Sequence, residues 1–187
     1  MEYYKILLVD DELEIRDGMI QKLDWHKLGY DVAAAAENGV EALEKAEQVQ
    51  PDVIMTDIRM PFMDGLEFIG KVIELRPAVK IIVFSGFDDF EYAQKAINLG
   101  VEEYILKPVS ARQLEQSLVR LKSKMDEELE QKRNIDLLRR SYEDSFPILK
   151  EQFFVSVIEG RMLPRQIEQW LNQYKLSFAS RYKVVAV

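Results

Sequence analysis

Five short apolar runs open at Ile6, Val32, Val53, Ile81 and Tyr104, with successive starts 26, 21, 28 and 23 residues apart. That spacing is the rhythm of a repeated strand and crossover helix. Ile6-Leu7-Leu8-Val9, Val53-Ile54-Met55 and Ile81-Ile82-Val83-Phe84 are continuously apolar and rich in branched side chains. Strands covered on both faces read this way, whereas a strand with one wet face alternates. The intervening segments carry helical spacing: Ile15, Met19 and Leu23; Val40, Leu43 and Ala46; Leu66, Ile69, Val72 and Ile73; Tyr92, Ala96 and Leu99. Asn38-Gly39, Pro61 with Asp64-Gly65, and Gly100 fall where those helices should start or stop. The pattern predicts a five-stranded doubly wound α/β domain over residues 1–110, a parallel sheet with helices on both faces.

Past Ser110 the alternation ends. No Gly or Pro interrupts Ala111 to Phe146, which predicts a linker helix over 111–145 that continues the fifth crossover helix. Ser145 and Pro147 signal a new helix that Gly160 ends, Pro164 opens another, and Tyr182 to Val187 reads as the start of a strand. Residues 146–187 are therefore expected to be a helical fragment of a truncated middle domain. Leu114, Leu118, Leu121 and Met125 form a seam of coiled-coil type, resumed by Ile135, Leu138 and Tyr142 after a polar gap at Lys132. The first two should cover the sheet. Beyond Leu121 the seam has no sheet left to cover on a helix about 50 Å long, which predicts a weak parallel homodimer strengthened when the protein is activated.

Composition narrows the class. Of 187 residues 48% are apolar and 31% charged, enough for a packed core. The longest apolar run is five residues, Val32 to Ala36, where a membrane helix needs about 18 or more, and no leader pattern opens the chain. A soluble cytoplasmic protein is expected. With no cysteine and one histidine, thiolate zinc sites and multi-histidine centres are excluded. His26, in a Trp-His-Lys loop segment after the first helix, reads as a surface residue. Residues 1–110 carry 22 acidic and 11 basic side chains, while 111–187 carry 11 and 14. The first part repels nucleic acid, and the second has too small an excess to be a DNA-binding footprint.

Ligands of open parallel sheets sit beyond the carboxyl ends of the strands. Here those ends read Asp10-Asp11-Glu12, Thr56-Asp57, Ser85-Gly86 and Lys107-Pro108. The first loop has neither the dinucleotide-binding nor the P-loop glycine pattern. Carboxylates gathered at one crevice repel unless a hard divalent cation sits among them, and Mg2+ is the natural candidate. Gathering them requires the first and third strands to be neighbours, hence strand order 2-1-3-4-5. In this reading Asp10 and Asp11 hold the metal and Asp57 is the nucleophile toward phosphorus. Lys107 and Ser85 would meet the phosphoryl oxygens.

Leu8-Val9-Asp10-Asp11-Glu12, Asp57-Ile58-Arg59-Met60-Pro61 with Asp64-Gly65, Phe84-Ser85-Gly86 and Leu106-Lys107-Pro108 together resemble the receiver domain of bacterial two-component response regulators. The resemblance spans Tyr4 to about Ser110. It implies that Asp57 accepts a phosphoryl group from a sensor histidine kinase and that the backbone carbonyl of Arg59 is a further Mg2+ ligand alongside Asp10, Asp11 and Asp57. It also implies a cis bond before Pro108 and a switch pair, Ser85 and Tyr104, although Tyr104 read alone is half-buried packing. Asp24-Trp25, Leu28-Gly29-Tyr30, the segment Gly86 to Ala93 and the long helix resemble regulators with an AraC-type DNA-binding output. That output would lie outside this chain. The competing reading is an aspartyl-nucleophile Mg2+-dependent phosphatase. Such enzymes place a second Asp two residues after the nucleophile, where this chain has Arg59, so a phosphoacceptor switch and not an enzyme is expected.

Overall fold

The strands form where the apolar runs lie. β1 (Tyr4–Val9), β2 (Tyr30–Ala36), β3 (Val53–Asp57), β4 (Lys80–Ser85) and β5 (Glu103–Leu106) make one all-parallel sheet in the order β2-β1-β3-β4-β5. The structure, a computed structural model, describes residues 3–86 and 90–175. Its helices are α1 (Leu13–Lys22), α2 (Trp25–Leu28), α3 (Gly39–Val49), α4 (Gly65–Leu75), α5 (Phe90–Asn98), α6 (Ala111–Ile158) and α7 (Pro164–Gln173). The chain divides into two compact units, Met1–Glu127 and Glu128–Val187.

Successive strand side chains point to opposite faces, and both faces are dry. Leu7, Val9, Ile54, Ile81 and Val83 pack with Ala42 and Ala46 of α3, Phe68, Ile69 and Val72 of α4, and Ala96 of α5. Ile6, Leu8, Met55, Ile82, Phe84 and Ile105 pack on the other side with Trp25 and the first turns of α6. The expected punctuation is in place. Asn38 caps α3, its side chain accepting from the amides of Val40 and Glu41 at 3.0 Å each, and Asp64 caps α4 through Glu67 at 2.8 Å. Gly100, at φ +78°, turns the chain after α5.

Four details differ from the sequence reading. Trp25–Leu28 is a helical turn and not a loop: Asp24 accepts from the Lys27 amide, and buried Trp25 donates from Nε1 to the Ile20 carbonyl at 3.1 Å. The buried side of α3 is Gly39, Ala42 and Ala46, with Val40 exposed, because small residues let the helix lie close. No break occurs at Pro147. Helix α6 runs through it to Ile158, since the Ser145 hydroxyl donates back to the Ser141 carbonyl instead of capping a new helix. The surrounding positions are exposed, so the carbonyl that proline deprives of its donor meets water. Finally, Leu121 and Met125 are buried on the sheet together with Leu114 and Leu118. The part of the seam free for a second chain therefore begins beyond Met125, and the first unit reaches Glu127. The strand read at Tyr182 to Val187, and Phe87 to Asp89 of the Gly86 to Ala93 motif, lie outside the described residues.

Polar ties add to the apolar seat of α6. The Tyr30 hydroxyl, pushed well above its usual pKa by burial, donates to the Leu118 carbonyl at 2.9 Å. Tyr4 donates to Asp126 at 2.8 Å, and Lys124 meets Glu102 at 2.6 Å. In the second unit, α7 packs against the end of α6 through rings. Trp170 stacks on buried Phe153 with centroids 3.9 Å apart, and Tyr174 meets both Trp170, at 4.4 Å, and Phe146, at 5.6 Å. Gly160, at φ +70°, makes the reversal, and Pro164 opens α7.

Because Leu118 is fully buried and Ile135 is 64% exposed, Leu118→Ala should cost about 2–5 kcal/mol of stability. Ile135→Ala should stay within about 0.5 kcal/mol. Urea midpoints of the two variants check this, and equal losses would contradict the seating of α6.

Candidate functional site

Parallel register brings the strand ends to one edge. Val9 pairs with Thr56, Asp57 with Phe84 and Ser85 with Leu106. Asp10, Asp57, Ser85 and Lys107 therefore end or follow their strands at one level, beside the β1/β3 junction where the winding reverses. The Lys107 amide donates to the Ser85 carbonyl at 2.7 Å, and the following Lys107-Pro108 peptide is cis, as the resemblance implied.

Lys107 joins the two inner carboxylates. Its ammonium lies 2.7 Å from Asp10 Oδ2 and 3.0 Å from Asp57 Oδ2. Each acid holds its other oxygen on a backbone amide, Asp10 Oδ1 accepting from Glu12 at 3.0 Å and Asp57 Oδ1 from Ile58 at 2.7 Å. Both carboxylates are buried, while Asp11 is exposed. Burial pushes the Asp57 carboxyl above the usual carboxylate range, and this outweighs the opposing pull of Lys107. Burial also disfavours the Lys107 ammonium, but the hydrogen bonds and charges of Asp10 and Asp57 outweigh it and hold that group above its ordinary value.

One ammonium does not balance three acids. Carboxylate oxygens of Asp10, Asp11 and Asp57 all lie within 4.8 Å of one another, so ionised they leave about two negative charges uncompensated. A hard divalent cation with oxygen ligands matches that deficit and that donor set, which fits Mg2+. The other expected residues are placed as follows. Ser85, buried, ends β4. Tyr104 pairs with Val83 and packs half-buried against the core on the α3, α4 and α5 side. Arg59 lies in the loop after β3, its guanidinium 5.5 Å from the ring centre of Tyr92. His26 stacks on Tyr3 and faces Asp31 at the surface, outside this group.

Several supporting residues escaped the sequence reading. Thr56, polar and fully buried in an apolar strand, donates from Oγ1 to the Asp57 carbonyl at 2.8 Å; its polarity amid Val53-Ile54-Met55 was the available signal. Arg16, one turn into α1, donates to the Asp10 carbonyl. Gly65 reads as turn punctuation, yet a Cβ there would stand 2.0 Å from the Asp57 carbonyl oxygen. Its amide bonds the Ile58 carbonyl at 2.7 Å, closing the loop that follows Asp57. A groove of about 610 Å³ between α1 and the start of α6 opens beside Lys107, lined in part by Ile15, Met19, Val109 and Leu114.

Comparison with known proteins agrees with this geometry. The family model for the response regulator receiver domain matches residues 6–119. The chain is 40% identical over 157 residues to YesN of Bacillus subtilis (strain 168), described as an uncharacterized transcriptional regulatory protein, covering 84% of this chain and 43% of that one. It is 36% identical over 151 residues to the transcriptional regulatory protein HptR of Staphylococcus aureus (strain NCTC 8325 / PS 47), covering 80% and 58%. The chain thus spans about half the length of these curated relatives. The REC domain of AraT, a response regulator from Geobacillus stearothermophilus, aligns with TM-score 0.65 and 40% identity over 69% of this chain and 99% of that one. A two component transcriptional regulator AraC from Clostridium phytofermentans ISDg aligns with TM-score 0.59 and 36% identity over 63% and 91%.

The raised pKa of Asp57 means that folding favours its protonated form. The stability cost of its charge is absent below the ordinary carboxyl pKa and complete above the raised folded value. Asp57→Asn should therefore stabilise the metal-free protein near neutral pH by about 1 kcal/mol, with the gain shrinking as the pH falls into the carboxyl range. Urea titrations of both proteins across that range measure it. A gain that grows on acidification would have the wrong sign. Gly65→Ala should in contrast cost about 2 kcal/mol or more at every pH, because the loop backbone must move.

Proposed function

Because the chain belongs to the response-regulator receiver family, we propose that it works as a phosphoacceptor switch in which Asp57 takes a phosphoryl group from the phosphohistidine of a sensor kinase. A carboxylate oxygen of Asp57 attacks phosphorus and the P–N bond breaks, its electron pair returning to the imidazole nitrogen, so that an acyl phosphate forms on Asp57. Asp10, Asp11, Asp57 and the Arg59 carbonyl would hold Mg2+, which when bound supplies positive charge against the phosphoryl oxygens. Lys107 transfers its grip from the Asp57 carboxylate to a phosphoryl oxygen, and the Ser85 hydroxyl donates to another. Since Lys107 bonds differently in the two states, it can bias a rearrangement that includes Ser85 and Tyr104. The observation that carries this reading is Lys107 bridging Asp10 and Asp57 at 2.7 and 3.0 Å.

The reading extends to the whole protein. The relatives are named transcriptional regulators, which supports a DNA-binding output carried outside residues 1–187, with residues 111–145 as linker and 146–187 as part of a middle domain. Cytoplasmic placement follows from the kinase partner, and no helix among the described residues is long and apolar enough to cross a membrane. Leu129, Ile135, Leu138 and Tyr142 are exposed beyond the part of α6 that covers the sheet, which supports a weak homodimer through that stretch.

Incubation with acetyl phosphate and Mg2+ should add one phosphate by mass to the wild type and none to Asp57→Asn. Asp11→Ala should need more Mg2+ for the same yield. Phosphate appearing on residue 57 of the Asn variant, or steady release of inorganic phosphate at enzyme rates, would overturn the assignment. Sedimentation should show more dimer with beryllofluoride and Mg2+ than without, and a monomer at high concentration in both states would remove the dimer.

A further inference from the structure

The loop after β3 contains one residue that breaks two local rules. Phe62 has φ +68°, in the left-handed region where a Cβ is strained and which Gly or Asn occupies readily. Its side chain is 89% exposed, so burial gives nothing back for that strain. The loop is nevertheless pinned around it. Gly65 donates to Ile58 at 2.7 Å, Met63 to Pro61 at 2.8 Å and Gly39 to Met63 at 3.2 Å. Ile58 and Met63, on either side, are buried. The strained aromatic is thus held outward from a closed loop whose first residue follows Asp57. Strained residues that their surroundings over-determine cluster at functional sites.

We propose that Phe62 is the docking knob by which the phosphohistidine-bearing protein seats over Asp57. Asp57 is 8% exposed, so a phosphohistidine carried on a protein must bring that protein's surface close to the chain leaving Asp57, and the loop 58–64 follows Asp57 directly and returns to its carbonyl at Gly65. An exposed aromatic on a rigid loop supplies large contact area at little ordering cost, which is the character of an interface anchor. A small phosphoryl donor needs no such seat. The apolar partner surface is a pocket for one ring on the donor protein, close to its phosphorylated histidine.

This inference rests on Asp57 being the phosphoacceptor, and the test separates the two. Phe62→Asn and Phe62→Gly suit the backbone, so both should fold with a thermal midpoint no lower than wild type. The protein donor is any autophosphorylated histidine-kinase core that phosphorylates the wild-type chain, and the small donor is phosphoramidate. With the kinase core, KM should rise about tenfold in both variants, and Phe62→Tyr should restore it; with phosphoramidate the rates should match wild type. Unchanged KM with the kinase core overturns the docking role and leaves the phosphoacceptor reading standing. Equal losses with both donors would place Phe62 in service of the site itself, and a loss of self-association on sedimentation without a change in KM would assign the knob to a second copy of the chain. Phosphorylation of wild type by the kinase core and by phosphoramidate at a residue other than Asp57, mapped by mass spectrometry, overturns the phosphoacceptor reading and this inference together.

Discussion

Two buried carboxylates share one ammonium at the end of a parallel sheet, and the architecture around them keeps that arrangement possible. Asp10 and Asp57 leave neighbouring strands at one level because Val9 pairs with Thr56. Neither acid tolerates burial alone, so each uses one oxygen on a backbone amide and the other on Lys107. Lys107 in turn is positioned by its backbone N–H, which donates to the Ser85 carbonyl. Removing Lys107 would leave both buried carboxylates without the cation they share. Ionised, Asp10, Asp11 and Asp57 still carry about two negative charges beyond what Lys107 balances, a deficit that a hard divalent cation would match.

The same turn that aims Lys107 starts α6. Ser110, three residues on, caps the helix by accepting from the Gln113 amide at 3.2 Å. From there Leu114, Leu118, Leu121 and Met125 are buried on the sheet, while Arg120 and Lys124 pair with Glu103 and Glu102 at the start of β5. Exposed pairs of this kind add little stability. Their contribution is to register, holding the helix at one rotation on the sheet. The turn that carries Lys107 thus leads directly into a helix anchored on the sheet.

Local consistency is the rule along most of this chain, and three of the exceptions lie close to Asp57 in sequence. Thr56 puts a hydroxyl in a dry strand, Gly65 sits where no side chain fits, and Phe62 exposes a ring from a strained backbone. Natural sequences depart from local preference mainly where function requires it. The loop from Asp57 to Gly65 accordingly carries more information about use than about folding.

The amino-acid pattern alone determined the strands, their burial on both faces, the helix caps at Asn38 and Asp64, and, through the need to gather Asp10, Asp11 and Asp57, the strand order. These are legible because periodicity and capping chemistry act within a few residues. The polar ends of β1, β3, β4 and β5 likewise pointed to one site, since a doubly wound sheet has one edge for ligands. Tertiary structure decided the rest. An apolar stripe announces that a face will be covered but not by what, so only the packed domain shows that Leu121 and Met125 serve the sheet and that α3 is seated by Gly39, Ala42 and Ala46. Pro147 signalled a helix start, yet water around the helix and the hydroxyl of Ser145 let α6 continue through it. The bridging of Asp10 and Asp57 by Lys107, the close approach at Gly65 and the outward Phe62 depend on segments distant in sequence meeting at set distances, and no local pattern encodes those distances.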